Sequence, residues 1–365
     1  MNHHKLAIST VSLGWHASHT LGRKLAAAAE AGFQGVEIYI TDLDSYAAGA
    51  GIARVQAAEE IRRLCAQHHL GIVCLGSFNN FEGDPRRSLE ERLHSAREWI
   101  AMARALGTDV IQVPSNEDPD AVGDMDTIVA ELQALADLGL HESSSPSLPA
   151  VRFAYEALGW GTHVADWEES LRVVDLVARP NFGLCLDSYH VLGRLWADPR
   201  SPSGRRPGGD AALRRSLGTF RERFANPVPP SSSSQTQTQT QTHPLIYIQL
   251  SDAERLRPPI LPGHEAYSPH KDGVHSWCRY GRLFPLERDR GAYLPVEDVA
   301  RAWLLQLNNN DNKDGGGGGI VGCWVSMEIF HRDMERQENG PEHWAQRGRR
   351  SWDELVKRLG LDWTD

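Results

Sequence analysis

The chain has 365 residues, 41% of them hydrophobic and 24% charged, the profile of a globular protein with material for a large core. Its 38 Lys and Arg against 48 Asp and Glu leave a formal charge of −10, the wrong sign for a phosphate-backbone binder. No apolar run approaches the ~20 residues that span a bilayer, and MNHHKLAIST shows no signal-peptide core.

Five cysteines, with no CxxC pair, predict no disulfide framework. Cys74, Cys185 and Cys323 sit in apolar runs, where a reduced thiol packs as a small hydrophobe. A cytoplasmic, reducing compartment is expected, with neither nucleic acid nor membrane as partner. Self-association to a homo-oligomer stays open.

Apolar runs of strand length alternate with amphipathic stretches. Strands are expected over 5–13, 35–40, 71–78 and 109–114, each followed by a helix, over 21–31, 52–69, 88–106 and 121–138. The second half continues with strands over 152–158, 182–189, 245–251 and 322–330. Its helices are expected over 166–178, 191–196 with 211–224, 296–307 and 351–359. Eight strand–helix units predict a closed (β/α)8 TIM barrel, and such a barrel uses ~250 residues or more as one domain. Residues 1–365 are therefore read as a single domain. No GxGxxG follows a strand, so a dinucleotide fold lacks its phosphate loop.

Three segments do not fit the barrel: 143–149 (SSSPSLP), 229–242 (PPSSSSQTQTQTQT) and 308–319 (NNNDNKDGGGGG). Each lies just before a strand, on the face opposite the expected active site. They are expected to be disordered and dispensable.

Catalytic groups of such barrels sit at the C-terminal ends of strands. Those ends offer Glu37, Glu156, Asp187 with His190, Gln249 and Glu328. Each has an ordinary reading: a core salt bridge for Glu37, a strand-end acid for Glu156, a helix cap for Asp187, a satisfied ring for His190. Together they differ. Three or four carboxylates at one mouth repel unless a cation lies between them. An oxygen-rich set suits Mg²⁺ or Mn²⁺; nearby His190 and His163 keep Zn²⁺, Co²⁺ and Fe²⁺ open. Arg279 and Arg282, in SWCRYGR after the seventh strand, offer guanidinium forks to an anionic substrate, or are solvated loop residues. The loop from Phe78 to Gly83 is a candidate pocket wall. Trp160 and Trp277 are read as packing residues, and 347–350 as a surface cap region.

KLAISTVSLG, GFQGVEIY, YEALGWGTH, LCLDSYH, YIQLSD, HSWCRYGRLFP and SMEIFHRDM together resemble the fungal 3-dehydroshikimate dehydratases of quinate catabolism. Those enzymes belong to the xylose-isomerase-like barrels. The similarity runs from about residue 5 to 359, interrupted by the inserts. It implies a divalent cation held by Glu156, Asp187, Gln249 and Glu328. It implies His190 as an acid/base group and the two arginines as holders of a small-molecule carboxylate. Two departures stand out. The loop GSFNNFEG lacks the family's QPF pattern, and His331 stands where relatives often carry Asn.

The reaction implied is loss of water from a β-hydroxy ketone to give protocatechuate. His190 is expected to remove the acidified α-proton, with His163 and Glu37 as candidates for the acid or for orientation. Three other readings fit parts of the pattern. A sugar or sugar-phosphate isomerase or epimerase would use the same cation. An AP-site endonuclease is disfavoured by the net charge and the oxygen-rich ligands. A non-catalytic barrel should lack a ligand carboxylate, and none is missing.

Overall fold

The structure is a computed structural model that describes residues 4–142, 149–225, 244–309 and 323–361. The strands are β1 (Lys5–Ser9), β2 (Gly35–Tyr39), β3 (Gly71–Gly76), β4 (Val110–Pro114), β5 (Arg152–Glu156), β6 (Phe182–Asp187), β7 (Leu245–Leu250), the two-residue β8 (Asp252–Ala253) and β9 (Arg282–Leu283), and β10 (Trp324–Met327). The first seven and β10 close a parallel barrel, in which β1 pairs with both β2 and β10. The expected TIM barrel is therefore present.

The helices are α1 (Leu21–Glu30), α2 (Ile40–Ala50), α3 (Arg54–Gln67), α4 (Leu89–Leu106), α5 (Met125–His141), α6 (Trp167–Val177), α7 (Ser188–Leu195), α8 (Gly209–Ala225), α9 (Gly273–Gly281), α10 (Val296–Asn309) and α11 (Pro341–Leu359). None of the described helices is long and apolar enough to cross a membrane. Local chemistry sets several boundaries. Ser88 and Glu91 form a capping box that starts α4, and Gly107 ends it at φ 81. Asp124 and Asp166 cap α5 and α6 through side-chain bonds to the third helical N–H. At the N-terminal end of the barrel, a Cβ on Gly35 would meet the Trp324 ring at 2.7 Å, so only glycine leaves room for that indole.

Several sequence expectations need correction. The first strand ends at Ser9, because 10–13 turns into a 3-10 segment whose Ser12 Oγ exchanges hydrogen bonds with the Ile329 backbone. A helix, α2, starts directly after β2 with no capping side chain to announce it. The long loop after β7 contains α9, capped by Asp272. The last helix starts ten residues earlier than expected, with Pro341 at its first position. Consequently 347–350 is mid-helix rather than a cap region. Arg347 is buried and forms a bidentate pair with Glu287, both bonds 2.7 Å. The inserts expected at 143–149 and 229–242 fall outside the described residues except at Pro149; Asn308 and Asn309 of the third are helical.

All five cysteines are buried and free. The core continues through the barrel interior into the helix layer, with Trp277, Trp303, Trp344 and Trp352 fully enclosed.

Candidate active site and metal centre

The parallel register lines up the strand-end groups. Asp187 on β6 is the direct partner of Gln249 on β7, and Gln249 faces Ser326 on β10. Glu156 ends β5 opposite Pro114. Glu328 follows Met327, the last residue of β10. Strand order thus delivers four oxygen-bearing side chains from adjacent strands to one mouth. All four are buried.

Glu156, Asp187 and His190 come closest, with one potential donor atom from each lying within 4.8 Å of the others. His190 Nε2 is 3.6 Å from Glu156 Oε1 and 3.7 Å from Asp187 Oδ2. Its other nitrogen, Nδ1, accepts the Gly159 backbone N–H at 2.9 Å. A backbone N–H can only donate, so the neutral ring carries its proton on Nε2. Burial lowers the imidazole pKa to about 4, which keeps the ring neutral near pH ~7.

One guanidinium reaches into this cluster. Arg282 is carried there by β9, which pairs antiparallel with β8 just after β7. It donates to Asp187 Oδ2 at 2.7 Å, Ser251 Oγ at 2.8 Å and the Glu328 carbonyl at 2.7 Å. Its second terminal nitrogen reaches Glu328 Oε2 at 3.3 Å. Its guanidinium lies 4.7 Å from the Tyr189 ring centroid, and the whole side chain is enclosed.

Glu37 lies deeper. Tyr247 donates to it at 2.9 Å, and the Gln249 amide nitrogen donates to both of its oxygens. These bonds orient the Gln249 amide and leave its Oε1 accepting from Cys185 Sγ at 3.4 Å. Gln112, on β4, donates to Glu156 Oε2 at 2.8 Å. Glu156 Oε1 has no hydrogen-bond partner among the described residues.

The electrostatics of the cluster are unbalanced. Burial raises the carboxyl pKa values of Glu37, Glu156 and Glu328; neighbouring carboxylates add to the shift at Glu156 and Glu328, whereas hydrogen bonds offset part of it at Glu37. Glu328 is pushed up to about 8 despite Arg282. Four buried carboxylates share a single buried cation. A partnerless oxygen on Glu156 and uncompensated charge are what a divalent cation would satisfy, so the donors fit one. The oxygen set suits a hard ion; Nε2 of His190, which bears a proton here, would have to lose it to ligate.

The remaining sequence candidates divide. Arg279 stands at the mouth, exposed, with its guanidinium 4.2 Å from the Phe330 ring centroid and hydrogen bonded to Tyr39. Among the described residues it has no carboxylate ion-pair partner, whereas Arg282 has two. Phe78 is buried and packs on Phe81 and Trp99, at centroid distances of 5.7 and 4.9 Å. His163 is exposed and bonds the Ala121 carbonyl through Nε2 at 2.8 Å; it is not one of the clustered donors. Trp160 is a packing residue as expected: it is half-buried against the core and also packs on His190. His331 Nδ1 accepts the Asp333 N–H at 3.1 Å, a bond that an Asn side chain can also make.

Sequence reasoning missed Gln112, Tyr247 and Tyr39. Gln112 did carry a signal: like Gln249, it is an amide inside an apolar strand run. The tyrosines did not, because a tyrosine in a strand reads as core.

Residues 25–275 match the model of the xylose isomerase-like TIM barrel family. The chain is 40% identical to the 3-dehydroshikimate dehydratase of Neurospora crassa, over 98% of this chain and 95% of that one. In structure it is similar to a xylose isomerase-like TIM barrel/4-hydroxyphenylpyruvate dioxygenase fusion protein, at 26% identity and a TM-score of 0.68, covering 98% of this chain and 43% of that one. It is also similar to the IOLI protein with a bound zinc atom, at 15% identity and a TM-score of 0.63 over 97% and 99% of the chains, a likeness of fold alone. The chain belongs to the xylose isomerase-like TIM barrel family, and within it to the group of the fungal 3-dehydroshikimate dehydratases. Its full-length relative is thus named for a hydro-lyase activity.

Proposed function

We propose that this enzyme removes water from 3-dehydroshikimate to give protocatechuate, with a divalent cation at the barrel mouth. The observation that carries the reading is the full-length 40% identity to a dehydratase of that name. Glu156, Asp187, Gln249 and Glu328 would hold the cation, which would supply Lewis-acid polarisation of the substrate ketone. Mg²⁺ or Mn²⁺ suits these oxygen donors best. Placement in quinate catabolism and in the cytoplasm rests on the same reading.

The chain's own residues take the other tasks. Arg279 has a guanidinium uncommitted to any carboxylate among the described residues, and we assign it the substrate carboxylate. Arg282 is already committed to Asp187 and Glu328. It balances charge in the cluster rather than reaching out to substrate. Glu37 orients Gln249, which is the second of the two roles expected for it. His190 exchanges its proton with substrate at Nε2, because Gly159 occupies Nδ1. As drawn, the ring offers an N–H to a developing oxyanion or departing hydroxyl. Taking the α-proton at Nε2 requires the opposite tautomer and costs the Gly159 bond.

The test is formation of protocatechuate, read as ultraviolet absorbance, on mixing the protein with 3-dehydroshikimate and Mg²⁺ or Mn²⁺. Absence of product with every divalent cation overturns the reading and shifts it to a sugar or sugar-phosphate isomerase or epimerase.

A further inference from the structure

Three loops of the mouth meet at a point beside the carboxylate cluster. Glu117 comes from the loop after β4, Trp160 from the loop after β5, and His275 from α9. The His275 and Trp160 rings stack, with centroids 4.6 Å apart and planes 10° from parallel. The indole N–H of Trp160 donates to the Glu117 carboxylate. His275 Nδ1 lies 3.6 Å from that same carboxylate. Trp160 then packs on His190, with centroids 4.8 Å apart. The three residues line one cleft of about 430 Å³, and the only one of them in ring contact with His190 among the described residues is Trp160.

This arrangement answers a question left by the cluster itself. Among the described residues His190 has one hydrogen bond, at Nδ1, and its Nε2 sits 3.6 and 3.7 Å from the two nearest carboxylates. Those distances are too long to hold the ring in one orientation. One bond at Nδ1 leaves the plane free to tilt about it. Packing must fix that tilt: Tyr189 meets the ring edge-on with centroids 5.7 Å apart, and Trp160 packs closer, at 4.8 Å. Trp160 is half-buried: it packs against the core on one side, and Glu117 and His275 are its polar and stacking partners on the other. Glu117 fixes the indole edge and His275 fixes the indole plane.

We infer that Glu117, Trp160 and His275 are positioning residues that aim His190 Nε2 at the reacting atoms. None of them belongs to the cation-holding set, and Glu117 comes from a loop that sequence reasoning passed over. The inference rests on the dehydratase reading for its kinetic arm only. Glu117 and His275 are 38% and 16% exposed, so changing either leaves the barrel core untouched.

The experiment has two arms on the full-length protein. The first follows the His190 ring resonances by NMR of histidine-labelled protein without substrate, with His190→Gln giving the assignment. Ring current from Trp160 displaces these signals, so Trp160→Leu, Glu117→Ala and His275→Ala should each move them, while Glu117→Gln and His275→Phe should hold them in place. The second arm measures steady-state kinetics with 3-dehydroshikimate. Glu117→Ala should lower kcat about tenfold or more with KM changed less than about twofold, and Glu117→Gln should restore kcat. Unmoved His190 resonances in all three disruptive variants overturn the inference, as does an unchanged kcat in Glu117→Ala. A wild-type enzyme that forms no protocatechuate overturns the reaction while the NMR arm still decides the positioning.

Discussion

The guanidinium of Arg282 and the carboxylate of Asp187 form a 2.7 Å ion pair in which neither side chain reaches solvent. The same arginine bonds Glu328, so one permanent cation ties β6 to the end of β10. Removing it would leave two buried carboxylates with no counter-charge. Arg282→Met should therefore destabilise the fold by about 3–5 kcal/mol. Arg279→Met should leave the melting temperature nearly unchanged and raise KM for the carboxylate substrate about tenfold or more. Thermal denaturation and kinetics on the two variants separate the roles; a KM effect confined to Arg282 would reverse the assignment.

Glu156 predicts a change of the opposite sign. Its Oε1 is buried without a partner and its ionised form is disfavoured by burial and by Asp187 and Glu328. Glu156→Gln keeps an acceptor for Gln112 and removes the charge. Without metal, this variant should be more stable than wild type by about 1–3 kcal/mol. It should also lose the stabilisation that Mn²⁺ gives wild type, together with turnover. Melting curves with and without Mn²⁺ read both effects.

The pH dependence of the metal-free protein follows from the raised carboxyl groups. Glu328 moves from its ordinary value of 4.5 to about 8, mainly through burial. The folded state then binds more protons than the unfolded one across that interval, so stability falls as pH rises through it. Glu82, raised to about 7, and Asp252, raised to about 6, act in the same direction. Below about pH 6.5 the depressed histidines His190 and His331 act in the opposite direction, so the decline in melting temperature should be read in EDTA between about pH 6.5 and pH 8, where Glu328→Gln should decline less steeply. Cation binding needs the ionised groups, so it should release protons and weaken in acid. An equal slope in wild type and Glu328→Gln would contradict this account of the cluster.

Much of this was legible in the sequence, and the reason is geometric. In a parallel barrel every strand end points to one face, so a polar residue ending an apolar run is already placed near the others. That is why Glu156, Asp187, Gln249 and Glu328 could be named together. What the pattern could not show was how groups are shared out. Arg279 and Arg282 are three residues apart and looked equivalent. The two-residue pairing of Ala253 with Arg282 buries one and leaves the other at the mouth. Likewise α9 hid inside a polar loop, because its start depends on a single capping aspartate rather than a long apolar face. His163 looked like an active-site imidazole from its motif, yet its ring bonds a neighbouring loop carbonyl.

Glu37 offers a test of indirect support. It touches Gln249, Tyr247 and Cys74 and is not among the three closest clustered donors. Glu37→Gln would set one amide N–H₂ against another and free Gln249 to turn. Cation affinity should fall about 10–100-fold, measured by titration calorimetry with Mn²⁺. Unchanged affinity would mean that Gln249 is not held in place by Glu37, or does not touch the cation.

The most direct test of the central claim joins substrate and cation in one measurement. Protocatechuate formation from 3-dehydroshikimate is followed in the purified protein, again after EDTA and dialysis, and once more after Mg²⁺ or Mn²⁺ is restored. Product that disappears with chelation and returns with the cation is the predicted result. Full activity in demonstrably metal-free protein would contradict it.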